Sequence, residues 1–153
     1  MNFDYHFDIH LQTRKNILKR IERLSVDQMN TIPKGFNNNL VWNLGHIITT
    51  QQLLVYRNAG LPVYFPEELI LQFKKGSKPK NKYGDIEIEV FKIQLGEFAE
   101  QMRTDFNSDF FAEYKPYETS YGMQISSVAE AIVFNNVHEA LHLGIIGQFT
   151  KLV

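Results

Sequence analysis

The stretch SVAEAIVFNNVHEALHLGIIGQFTKLV, residues 127–153, decides the fold. Ser127 with Glu130 three residues on is a capping-box start, in which side chains satisfy backbone N–H groups that the first helical turn leaves without partners. No proline follows, and Val128, Ala131, Phe134, Leu141, Ile145, Ile146 and Phe149 recur at helical spacing. The spacing predicts one helix. His138 and His142 lie four apart on it, so their rings leave one face with Cβ atoms about 5–6 Å apart. Two imidazoles so placed reach a single metal ion. Because Ala131, Phe134, Ile145 and Phe149 share that face, both rings are expected to point inward.

Upstream, Phe3, Phe7, Leu11, Ile17, Leu18, Ile21 and Leu24 give a first helix to about residue 30, stopped at 31–35 by Pro33 and Gly35. Asn37, Asn38 and Asn39 offer N-caps for a second helix over about 39–59, closed by Gly60 and Pro62. A short helix is expected from Pro66 to about Phe73, proline being tolerated in a first turn. Lys74 to Gly84 reads as a solvated connection. Its lysines lack the interleaved aromatic platform that single-stranded nucleic acid needs. A third helix, about 85–106, carries the stripe Ile88, Phe91, Leu95, Phe98, Met102, Phe106. Residues 107–126, aromatic and turn-rich, suggest a short hairpin over one end. Four long amphipathic segments make an all-α four-helix bundle, with a single domain expected over 1–153.

Composition narrows the function. Sixteen basic against 17 acidic residues leave a net charge of −1, which argues against a nucleic-acid or membrane surface. With no cysteine there is no thiolate ligand or nucleophile, so any metal site uses nitrogen and oxygen donors. No apolar run approaches the roughly 18 residues of a membrane span, and the first residues show no secretory leader. A cytoplasmic location is the resulting expectation.

The second helix supplies the partner for the histidine pair. Leu40, Val41, Leu44, Ile47, Ile48, Leu54 and Val55 make it apolar round much of its circumference. Asn39, Asn43, His46 and Thr50 cut a polar strip through that surface. Buried polar groups left unpaired cost about 1–3 kcal/mol each, and a metal or water pocket meets that demand. His46, His138 and His142 together give three neutral nitrogen donors and leave a position open, the arrangement of a catalytic site. Imidazole suits zinc, nickel, iron or copper. His6 and His10 share the i,i+4 spacing, but Asp4 and Asp8 suggest an exposed face there. His10 with Arg14 lining the pocket is the alternative.

His138-Glu139-x-x-His142 also matches the zinc-protease pattern, in which the glutamate activates a water. The longer version needs glycine at 145 and histidine at 148; here Ile145 and Gln148 stand there. Only eleven residues follow His142, too few for a ligand on a later helix. The third ligand must come from upstream, and His46 is the best placed. Glu139, about 100° round the helix from His138, is a proton acceptor, a group supporting the ligands, or a solvent-exposed residue.

Two segments, FNNNLVWNLGH (36–46) and FNNVHEALHLG (134–144), resemble the two signatures of the DinB/YfiT-like superfamily, and the match covers nearly the whole chain. The resemblance implies a four-helix bundle with a long connection between helices two and three. It also implies His46, His138 and His142 as ligands of a divalent zinc, nickel or iron ion, and homodimers as relatives often form. Characterised relatives use low-molecular-weight thiols such as bacillithiol or mycothiol. The expected function is therefore a metal-dependent enzyme acting on a small molecule, a thiol S-transferase in the leading version. In it Glu139 is a catalytic group and Asn43, Thr50 and Arg14 contact the substrate. A hydrolase using a metal-bound hydroxide is the second reading, and a non-catalytic small-ligand or stress protein the third.

Overall fold

A computed structural model of the chain describes residues 3–108 and 110–153. Its long helices are α1 (Asp4–Ile21), α3 (Leu40–Gln51), α5 (Asp85–Asn107) and α6 (Val128–Phe149). Two short helices, α2 (Val26–Asn30) and α4 (Glu67–Phe73), lie in the connections. A two-residue-long ribbon, β1 (Tyr117–Glu118) with β2 (Gln124–Ile125), turns at Gly122 in the left-handed region. The expected hairpin is there, much shorter than its 20-residue window.

Side-chain pairings give the helix directions. α1 and α6 run the same way, since Asn136 donates to the His6 carbonyl and Glu139 meets His10. α5 runs against α1, with Arg14 donating to the Leu95 carbonyl and Arg103 reaching Asp4 and Asp8. α3 runs against α6, pairing Asn43 with His142 and His46 with His138. α3 and α5 are thus parallel neighbours, Gln51 bonding the Phe98 carbonyl and Tyr56 bonding Asp105 further along. A parallel pair cannot be joined by a tight turn, because the chain must travel back the length of the bundle. That return is the long 60–84 connection, and α4 lies on it.

Three elements differ from the pattern in the sequence. The first helix stops at Ile21, and α2 restarts after Ser25, whose hydroxyl accepts from Gln28 N–H while the Gln28 side chain accepts from Ser25 N–H. This capping box inside an apolar periodic run breaks one helix into two. The second helix tightens and loosens beyond Gln51. A π-turn spans Gln52–Tyr56, a 3-10 turn spans Arg57–Ala59, and Gly60 closes them at φ 72°.

On α6, Leu141 and Ile145 are 50% and 40% exposed, not buried beside the histidines as expected. Val133 and Val137 continue the same exposed ridge. A helix apolar on every side carries no directional signal in its periodicity. Its rotation is set by partners on other helices.

The main core is formed by Ile17, Ile21, Leu40, Leu44, Ile47, Ile48, Leu95 and Ile146. All of α3 except Thr50 is buried. Asn39 caps it by accepting from Trp42 N–H and donating to the Asn30 carbonyl. No helix among the described residues is long and apolar enough to cross a membrane.

Candidate metal centre

The rings of His46, His138 and His142 meet between α3 and α6, with centroids 4.5–5.1 Å apart. One ligating nitrogen from each lies within 4.8 Å of the others. His46 Nδ1 donates to the Phe73 carbonyl at 2.7 Å, and His142 Nδ1 donates to Asn43 Oδ1 at 2.8 Å. Those bonds fix both tautomers, leaving each Nε2 with a lone pair directed at the shared centre.

His46 Nε2 and His138 Nε2 are 3.2 Å apart, close to the roughly 3.3 Å that tetrahedral geometry gives two nitrogens each about 2.0–2.1 Å from one zinc. His138 cannot satisfy itself without an ion. Protonated on Nε2 it donates to His46 but leaves Nδ1 as a buried lone pair with no partner. Protonated on Nδ1 it buries an unpaired donor and sets two lone pairs against each other. A divalent ion on the Nε2 atoms removes the facing lone pairs, although His138 Nδ1–H keeps no partner, and to that extent the donor set fits one.

Burial lowers all three histidine pKa values. For His138, burial and then the charge of His46 outweigh the opposing Glu139, giving a pKa of about 4. For His142, burial and then His138 and His46 take it to about 3. For His46, burial outweighs the Phe73 carbonyl. At neutral pH the rings are uncharged, the state a metal requires.

Local sequence accounts for the scaffold. Gly45 allows the Phe73 ring to lie against α3, where an added Cβ would sit 2.5 Å from three ring carbons. That contact brings the Phe73 carbonyl to His46. The single tryptophan, Trp42, stacks on His46 at 4.5 Å and 11°, and its indole N–H donates to Ser77, anchoring the loop after α4.

One side of the centre opens into a cavity of about 450 Å³ lined by the three histidines, Thr50, Leu53, Leu54, Arg57, Asn58, Lys75, Phe134 and the ribbon residues Tyr117, Thr119 and Ser120. The π-turn carries Leu53 and Leu54 into this wall. A second cleft, about 440 Å³, meets His142 from the other side, between residues 35–38 and 76–78. A larger groove of about 590 Å³ along α5 holds none of the histidines.

Of the residues expected at the site, Thr50 lines the cavity, 3.4 Å from His46 Nε2, and Asn43 bonds His142. Arg14 and Glu139 lie elsewhere. Glu139 is fully buried and turned toward α1, which corrects both the solvent-exposed alternative and a place in the cavity. Its Oε1 accepts from Arg14, Asn135 and His10, and its Oε2 from Arg14 Nε at 3.0 Å. Arg14 is completed by the Leu95 carbonyl and Gln51.

Burial pushes the Glu139 carboxyl up, but the charge of Arg14 and the hydrogen bonds from His10 and Arg14 hold it well below the ordinary carboxylate range. His10 is likewise buried, against the expectation from Asp4 and Asp8, which pair with Arg103. Burial lowers its pKa despite Glu139, so it donates as a neutral ring. Sequence reasoning missed the role of Phe73. Backbone carbonyls carry no residue signal, and the ribbon reaches the site only through the fold.

The DinB superfamily model matches residues 10–146 of the chain. No curated protein matches it.

Proposed function

The chain belongs to the DinB superfamily, and from that premise we propose a metal-dependent enzyme whose divalent ion is held by His46, His138 and His142, with transfer of a low-molecular-weight thiol as its reaction. The observation that carries this reading is the convergence of three neutral imidazoles at the floor of a cavity, two of them with the outer nitrogen already anchored. A divalent ion there would act as a Lewis acid and favour the thiolate of a bound thiol.

The chain's residues do the rest. Phe73 and Asn43 orient the ligands. Leu53, Leu54 and Phe134 exclude water from one wall, and Thr50 and Thr119 offer hydroxyls. Among the described lining residues no carboxylate and no other free base stands ready to take a proton from water. Thiol chemistry does without that base, since a thiol ionises near pKa 8.5 even before a metal lowers it further.

Untagged protein should carry about one divalent ion per chain by elemental analysis. Loaded with cobalt(II), it should show a thiolate-to-cobalt absorption band on adding 2-mercaptoethanol. Consumption of a bromobimane electrophile should depend on added thiol and disappear in His138→Ala. Turnover of ester or amide substrates with no thiol requirement would replace the transferase with a hydrolase. Tight metal retention with neither activity would leave a binding protein.

A further inference from the structure

We propose that the molecule this cavity serves carries a negatively charged group, a carboxylate or a phosphate, held by Lys75 with Arg57 while its reactive end lies against the three histidines. The inference rests on the metal-dependent reading and deepens it by naming the substrate class.

The charge distribution argues for it. The chain is net −1 with 17 acidic residues, yet among the described residues no carboxylate lines either cleft that meets His142. The groove along α5, by contrast, contains Glu97 and Glu100 and no cation. Lysines of the 74–82 loop, which as sequence read as mere solvation, flank the centre: Lys75 in the main cavity and Lys78 in the second cleft. Trp42 holds Ser77 of that loop at 2.9 Å, so the cations have an anchored backbone.

Arg57 is gripped at both terminal nitrogens by Glu67, which partly balances its charge and fixes its position. Lys75 has no ion pair among the described residues. A divalent ion on three neutral ligands adds two further charges, and the one carboxylate acting on those ligands, Glu139, is already paired with Arg14. Apolar walls beside such a set of charges focus its field and attract anions.

The test compares two ligands of equal length on zinc-loaded protein, glutaric monohydroxamate and pentanohydroxamate, which differ in one terminal carboxylate. Trp42, stacked on His46, reports occupancy by its fluorescence. The charged ligand should bind about tenfold more tightly, roughly 1.4 kcal/mol. That advantage should shrink as salt rises from about 50 to about 500 mM. It should fall to within about threefold in Lys75→Met and return in Lys75→Arg. Equal affinities in the wild type, or an advantage that survives Lys75→Met, overturn the proposal. Zinc uptake is scored separately, and Trp42 also reads glutarate against glutaramide on metal-free protein. Loss of the metal reading therefore leaves the charge preference measurable.

Discussion

Within five residues, α6 presents two polar surfaces with opposite fates. Toward α3 it offers His138 and His142, which converge with His46 on a point where their nitrogens face one another at the cavity wall. Toward α1 it offers Glu139, whose two oxygens are saturated by Arg14, His10 and Asn135. Residue type does not separate them, since both clusters contain buried histidines. Charge pairing and access do. On the α1 side the Glu139 carboxylate is matched by the buried Arg14, although His10 Nδ1 and Asn135 Oδ1 have no partner, and that pairing fixes the rotation of the helix that directs His138 and His142 into the cavity. The α3 side is open to the cavity and has donors to spare.

The strongest way to break this contrast is at Glu139. Glu139→Gln leaves Arg14 charged and buried without its partner, and urea denaturation should show a loss of about 3–5 kcal/mol. Arg14→Met combined with Glu139→Leu should recover most of that stability, because an apolar pair replaces an ion pair. If Glu139→Gln is nearly neutral, the cluster does not lock the helix.

His142→Ala should act the other way round. It should weaken zinc binding by about 3–4 kcal/mol, one ligand's share of a typical zinc site, read by competition with a chelating dye. Stability of the metal-free protein should change far less, since no satisfied partner but Asn43 is lost. Equal damage to both quantities would erase the distinction between the two surfaces.

Asn43→Ala sharpens the claim about orientation. Freed from Oδ1, the His142 ring loses its fixed tautomer, and zinc affinity should drop about 10–100-fold in the same competition assay. An unchanged affinity would mean that the 2.8 Å bond orients nothing.

A further test is of pH. His138 and His142 titrate near 4 and 3 in the folded chain and near 6.5 unfolded. Below about pH 6.5 the unfolded state takes up protons that the native rings refuse, so metal-free protein should be fully stable above that pH. It should lose stability progressively toward pH 4, by about 3 kcal/mol for each ring, read as a falling Tm. Bound zinc should deepen the acid sensitivity, because protons and metal compete for the same nitrogens. A flat Tm from pH 7 to 4.5 in metal-free protein would count against neutral, buried rings.

Much of this architecture is legible along the chain. The Ser127 cap and the i,i+4 histidines mark α6, and the polar strip Asn39, Asn43, His46, Thr50 marks the helix opposite. Local spacing fixes these features because a helix places residues three and four apart on one face. The break at Ser25 shows the limit, since a capping box and a continuing helix share the same apolar period.

The sequence carried the helical class, the family and the three histidines that converge, all of which depend on periods of a few residues. Tertiary packing assigned Glu139 to Arg14, turned Leu141 and Ile145 outward and brought Phe73 and Lys75 to the site. Those outcomes join residues from 27 to 125 positions apart. No local periodicity encodes such pairings, and only the closing of α1, α3 and α6 on one another chooses among them.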